Sequence, residues 1–87
     1  MNDKVMNYTV RNSSTEIIVI IEPWAEEVLL PPNSKLSIHI SYLELRPLES
    51  EVTPKYFVVY VWGGCRARVF LDDEDVTPPS LQIRTVL

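Results

Sequence analysis

The chain has 87 residues, of which 46% are hydrophobic and 23% are charged, as in an ordinary globular protein. At this length we expect one domain, residues 1–87, with a single core that buries about 60% of the unfolded surface. The formal net charge of −4 disfavours nucleic acid as a partner, and the single cysteine, Cys65, excludes an intrachain disulfide and a cysteine-rich metal site.

The N-terminal region shows neither a secretory signal nor a membrane span. Met1 is followed by Asn2, Asp3 and Lys4, and the longest apolar run ends at Glu22, far too early to cross a bilayer. Together with the lone cysteine, this pattern favours a reducing compartment. We therefore expect a complete cytoplasmic chain with no membrane partner, and the alternative is a secreted chain from which the signal segment has been removed.

The first half of the chain has a hydrophobic period of two, and seven prolines are scattered through the sequence, so strands are expected and long helices are not. A first strand is predicted at residues 4–11, ended by the turn cluster Asn12-Ser13-Ser14. The β-branched run Ile17–Ile21 predicts a central strand covered on both faces. Pro23 ends it, because proline has no N–H to donate to a ladder.

A reversal is predicted next, after a short apolar segment at residues 26–30. Pro31–Ser34 has the composition of a turn in which Asn33 tolerates an unusual backbone angle. Residues 35–42 then alternate more cleanly than any other segment, with one face in water. The core-facing residues of this strand are Leu36, Ile38, Ile40 and Tyr42. Residues 43–54 are expected to form a loop that crosses between sheets.

Gly63-Gly64 predicts a two-residue hairpin turn, because both central positions of a type I′ turn need positive φ. The turn joins a strand at residues 56–62 to a strand that begins at Cys65. Its register places Trp62, Tyr60 and Val58 opposite Cys65, Ala67 and Val69, and we expect these pairs to face the core. The outer face then combines Phe57, Val59 and Val61 with Arg66 and Arg68.

The chain ends in an acidic turn at Asp72–Asp75 and a last strand at Leu81–Leu87, in which Leu81, Ile83 and Thr85 share one face. Seven short strands follow from the whole pattern. They predict an all-β fold, a small antiparallel seven-stranded β-sandwich or partly open barrel of immunoglobulin-like or cupredoxin-like shape.

The residue types that carry chemistry are sparse and badly placed for it. His39 is expected on a polar face and Cys65 on an inner face, so they form no nucleophile pair. A copper site of the cupredoxin kind needs two imidazoles, and His39 is the only histidine. For Asp72–Asp75 a solvated turn is the favoured interpretation and a weak calcium site the alternative. We therefore expect no enzyme activity, no catalytic residue, no cofactor and no metal ligand.

Two functions remain open. The first is a non-enzymatic protein-interaction or assembly module that binds another protein or forms a homodimer by edge-strand addition. Its candidate interaction surface comprises Trp24, Phe57, Val59, Val61, Arg66 and Arg68. Arginine stems that merely cover apolar surface would give the same pattern. The alternative is a small-ligand binding module, for example for carbohydrate, that uses Trp24 and the adjacent loops.

Trp24 itself has a structural interpretation that we favour over a ligand site. Pro23 directs the chain away from the ladder, so the indole can fold back over the open end of the core. Burial of such a side chain contributes about 2–3 kcal/mol. The segment from Asn12 to Ile40, with Glu22-Pro23-Trp24 and Glu26-Glu27 before Leu30-Pro31-Pro32, resembles small uncharacterised bacterial proteins with an E-P-W segment. The resemblance extends loosely to the strand ending at Trp62 and implies neither an activity nor a site residue.

Overall fold

The structure is a computed structural model that describes residues 4–85, and these residues form an all-β fold. The strands, in chain order, are β1 (Lys4–Asn12), β2 (Ile17–Glu22), β3 (Glu26–Leu30), β4 (Ser34–Tyr42), β5 (Glu49–Val52), β6 (Tyr56–Tyr60), β7 (Arg66–Leu71) and β8 (Glu74–Asp75). A 3-10 helix follows at Pro79–Gln82. Within residues 4–85 no helix is long and apolar enough to cross a membrane.

The strands form two four-stranded sheets that pack on each other as a sandwich. Sheet I has the order β1-β4-β7-β8, and sheet II has the order β3-β2-β6-β5. The predicted all-β sandwich is confirmed. The expectation of a wholly antiparallel arrangement is wrong at one place, because β2 and β6 run parallel. Parallel neighbours need a long connection, and here the chain passes through β3, β4 and β5 before it returns beside β2.

The core lies between the inner faces of the two sheets and confirms the most regular part of the sequence pattern. Leu36, Ile38 and Ile40 of β4 are fully buried, as the alternation predicts. The Ile17–Ile21 run is central, as expected, because β2 lies between β3 and β6. The prediction that both faces of this strand are covered is wrong, since the outward-facing Ile18 and Ile20 are only half-buried.

The predicted hairpin at Gly63-Gly64 is wrong. Only Gly64 has a positive φ, 85°, whereas a type I′ turn needs positive φ at both central positions. The strands on either side belong to different sheets, β6 to sheet II and β7 to sheet I. The amide of Val61 donates to the carbonyl of Glu22 at 2.8 Å and holds the end of β6 against β2 before the chain crosses over.

The loss of that hairpin reverses the predicted faces of β6 and leaves those of β7 unchanged. Val59 and Val61 are buried, while Tyr60 points outward with 39% of its surface exposed. Cys65, Ala67 and Val69 are buried as predicted, and Trp62 packs on the core beside Tyr42 with ring centroids 5.8 Å apart.

The connections also depart from the predicted seven strands. The segment at residues 43–54 crosses from sheet I to sheet II, as expected, but it contains strand β5 as well. The predicted turn Asp72–Asp75 is wrong in its second half: Asp72 and Asp73 form the turn, with φ of 47° and 72°, while Glu74 and Asp75 form the short strand β8. The predicted strand Leu81–Leu87 is instead a 3-10 helix followed by irregular chain up to Thr85, and its residues 86 and 87 lie outside the described residues.

Candidate interaction surface

The outer face of sheet II is apolar at its centre. Strand register aligns Leu29, Ile18 and Tyr56 in one row across β3, β2 and β6. Leu29 is 50% exposed and Tyr56 is 40% exposed, which is high for large apolar side chains on one sheet face. We define the apolar face by its members, which are Ile18, Ile20, Leu29, Tyr56, Val58 and Tyr60.

Carboxylates border the apolar face. Glu27 and Glu51 lie at the two ends of the row that contains Ile20 and Val58. Glu22 and Glu49 flank Tyr60 in the next row. The four strands of sheet II contain no lysine, arginine or histidine, so nothing within these strands neutralises the border. The outer face of sheet II thus combines an apolar centre with a border of carboxylates.

The carboxylates of this border affect the pKa of Tyr60. Its phenol donates a hydrogen bond to Oε2 of Glu51 at 3.0 Å. That hydrogen bond, followed by lost hydration and by the charges of Glu51, Glu22 and Glu49, raises the pKa of Tyr60 above its usual value. The phenol of Tyr60 therefore lies among three carboxylates and donates to one of them.

The six residues predicted as an interaction surface do not share a face. Val59 and Val61 lie in the core, and Phe57 packs against it from the inner face of β6. Arg66 and Arg68 lie on the outer face of sheet I, on the opposite side of the sandwich. The physical reason is the failed hairpin, because the predicted register assumed that both strands belonged to one sheet.

The outer face of sheet I is polar and has its own ion pairs. Arg68 pairs with Asp75 at 3.2 Å, and Lys35 pairs with Asp73 at 3.4 Å. The ring of His39 packs on Phe70 with centroids 4.7 Å apart. His39 and the buried Cys65 are on opposite faces of this sheet, as the sequence predicts, so the two side chains do not meet.

Hydrogen bonds from other residues of the chain stabilise the acidic segment Asp72–Asp75. The carboxylate of Asp72 accepts a hydrogen bond from the amide of Lys35 at 3.0 Å. The hydroxyl and amide of Thr77 both donate to Asp75, and these bonds lower the pKa of Asp75 below its usual value. Across residues 4–85 no group of three or more His, Cys, Asp or Glu side chains could hold a metal ion.

Trp24 lies in the turn between β2 and β3 and packs against the core from its rim. Its indole N–H donates to the carbonyl of Ile83 at 3.1 Å, which ties this turn to the segment after the 3-10 helix. A shallow cleft of about 370 Å³ opens beside the ring, bounded by Pro23, Trp24, Ile83, Arg84 and Thr85. These contacts favour the predicted plug, and the cleft keeps a ligand site as an alternative.

Comparison of the chain with family models, with curated proteins and with solved structures finds no match.

The sequence does not identify the apolar face, although it contains one signal for it. The β-branched residues on both faces of β2 predict that Ile18 and Ile20 are covered, and this prediction is wrong. The nearby glutamates of β3 and β5 are the signal that this second face is at the surface.

Proposed function

We propose that this protein is a non-enzymatic interaction module that binds another protein through the apolar face of sheet II. The observation that carries the proposal is the exposure of Leu29, Tyr56 and Tyr60 around half-buried Ile18 and Ile20. Tyrosine is enriched among the residues that dominate binding energy in interfaces, because it offers a large apolar area and a polar tip. The buried Cys65 thiol is consistent with a cytoplasmic setting.

The carboxylate border indicates the chemistry of the partner. A second copy placed face to face would bring Glu22, Glu27, Glu49 and Glu51 close to the same residues of its neighbour, and like charges across an interface are unfavourable. A partner with an apolar centre bordered by lysine or arginine would satisfy both the apolar centre and the border. Binding to such a partner would weaken as salt is added, because salt screens exposed charge pairs.

The double variant Leu29→Lys/Tyr56→Lys is expected to lose partner binding and to keep its fold. Both residues are well exposed, so lysine is tolerated in the free protein while it places unpaired charge in the bound apolar centre. Binding should fall by about tenfold or more. The measurement is affinity capture from the native organism with mass spectrometry, followed by titration of the purified partner in low and high salt.

The matched control is Leu43→Lys/Leu45→Lys, which adds the same charge to two exposed leucines outside sheet II. This control is expected to bind like the wild type. Equal binding by the apolar-face variant and the wild type would refute the proposal, provided that circular dichroism shows both to be folded.

The second candidate is a small-ligand module, favoured by the cleft beside Trp24. We expect Trp24→Ala to lower the free energy of unfolding by about 1–2 kcal/mol, because it removes a half-buried ring and its hydrogen bond to Ile83. Thermal unfolding measures this loss, and an oligosaccharide array measures binding. Unchanged stability with loss of a bound sugar would instead identify Trp24 as a ligand site.

A further inference from the structure

Among residues 4–85 the sandwich has four edge strands, and they differ in how well they resist pairing with another strand. Sheet I ends in β1 and β8, and sheet II ends in β3 and β5. Proteins commonly protect an edge by keeping it short or by placing charges and prolines on it. β8 has only two residues, β5 has four with two glutamates, and β3 has five with two glutamates at its start.

β1 carries none of these protections over its central part. It has nine residues without a proline or an acid, and its charged residues, Lys4 and Arg11, lie near its two ends. Its register against β4 runs without interruption from Lys4–Tyr42 to Asn12–Ser34, so no bulge bends it away. No other strand among residues 4–85 pairs with its outer edge.

The hydrogen-bonding groups at this free edge can be identified from the neighbouring ladder. The carbonyl of Asn12 accepts from the amide of Asn33 at 2.7 Å, and the carbonyl of Lys35 in β4 accepts from Asp72 at 3.0 Å on the side of β7. An antiparallel ladder alternates between hydrogen-bonded and non-hydrogen-bonded pairs. Even-numbered residues of β1 therefore bond to β4, and the free edge presents the N–H and C=O groups of Val5, Asn7, Thr9 and Arg11.

We propose that β1 pairs with β1 of a second copy in antiparallel fashion, about a two-fold axis at Tyr8, and joins the two copies of sheet I into one continuous sheet. Full overlap of Lys4–Asn12 with itself requires this centre. The free groups then meet as hydrogen-bonded pairs, Val5 with Arg11 and Asn7 with Thr9 of the second copy. A shift by one residue would turn one inner face to solvent.

Side chains and charges agree with this register. Residues directly opposite share a face, so Met6 lies opposite Val10 of the second copy and the apolar inner layer continues across the axis. The two Tyr8 rings, each already 6.4 Å from Phe57 of its own chain, form a cross-strand aromatic pair. Each Lys4 lies opposite Asn12, and each Arg11 lies opposite Val5, so no cation faces another cation.

This proposal concerns an edge of sheet I and does not depend on the apolar face of sheet II. Light scattering or sedimentation of the wild type over a range of concentrations is expected to show a dimer that dissociates on dilution, because one strand pair is a small contact. Asn7→Pro is expected to give a folded monomer, since it removes an N–H at the free edge and leaves the ladder to β4 intact. A strictly monomeric wild type overturns the proposal.

The matched control is Ser50→Pro on β5, another exposed edge-strand residue, and it is expected to leave the dimer unchanged. A folded Asn7→Pro dimer, or loss of the dimer in both variants, overturns the proposal. If Asn7→Pro fails to fold, disulfide cross-linking decides the question. Mixed Asn7→Cys and Thr9→Cys proteins should cross-link to each other faster than either does to itself, because these positions are opposite in the proposed register. The absence of that preference also overturns the proposal.

Discussion

Replacement of Leu81 by alanine is expected to lower the free energy of unfolding by about 2–5 kcal/mol, the range for a fully buried leucine. Leu81 is completely buried although it lies in a four-residue 3-10 helix rather than in a strand. The carbonyl of Ala67 in β7 accepts a hydrogen bond from the side chain of the neighbouring Gln82, which fastens the helix to sheet I. Truncation at Leu81 leaves a cavity at the rim of the core. Because the 3-10 helix is fastened to sheet I, the surrounding chain cannot move in to close this cavity.

Ile83→Ala is the control, and it separates the observed structure from the strand predicted by the sequence. In a strand Leu81 and Ile83 would share a face and both would contribute to the core. In the structure Ile83 is 70% exposed, so its truncation is expected to change the free energy of unfolding by less than about 0.5 kcal/mol. Urea denaturation of the two variants measures both values. Similar losses for both would contradict the 3-10 helix.

The sequence predicted strands well where one face meets water. In β4, His39 and Ser37 alternate with Ile38 and Leu36, and this contrast alone determines which residues enter the core. In β6 no such contrast exists, because Val58, Val59, Tyr60 and Val61 would each suit an interior. The inward face of β6 therefore depends on which strands lie beside it, and that information is not local.

The hairpin prediction failed for the same reason. A pair of glycines is compatible with a tight turn and also with a change of sheet, and the choice between them depends on distant pairing. β6 pairs with β2, which lies far earlier in the chain, while β7 pairs with β4. The predicted pairing of Tyr60 with Ala67 is therefore wrong, since Tyr60 lies between Glu22 and Glu49.

The candidate site was predictable only in part. The sequence shows that the segments which form sheet II contain glutamates and tyrosines. It does not show that β2 and β6 are parallel neighbours, and this pairing creates the apolar face. That pairing brings Ile18 beside Tyr56 and Ile20 beside Val58.

The 3-10 helix has a local signal in the sequence, because a proline such as Pro79 is favoured in the first turn of a helix.

Replacement of Asn12 by alanine is expected to lower the free energy of unfolding by about 2–4 kcal/mol, a large effect for a polar residue in a predicted turn cluster. Asn12 is the buried polar residue among those described. Its amide nitrogen donates to the carbonyls of Thr15, Leu30 and Pro31, and its amide oxygen accepts from the N–H of Ser14. The side chain thus joins the end of β1 in sheet I to the end of β3 in sheet II.

Asn7→Ala is the matched control, since Asn7 is an exposed asparagine on the same strand, and thermal unfolding of the two variants at low protein concentration compares them. Asn7→Ala should change the free energy of unfolding by less than about 0.5 kcal/mol. A small loss for Asn12→Ala as well would show that the bonds to Thr15, Leu30 and Pro31 contribute little to the joint between sheets.

Asn12→Asp tests the direction of these hydrogen bonds. A carboxylate would face three carbonyl oxygens in place of a donor, so burial and repulsion should raise the pKa of the introduced acid in the folded state. The unfolded state would then release its proton first, near the ordinary aspartate pKa of about 3.9. The stability of the variant relative to the wild type should therefore be highest at low pH and should fall as pH rises from there to the folded-state pKa. A difference that does not change with pH would mean that water reaches the side chain at position 12 and that the hydrogen bonds of Asn12 contribute little to the joint between the two sheets.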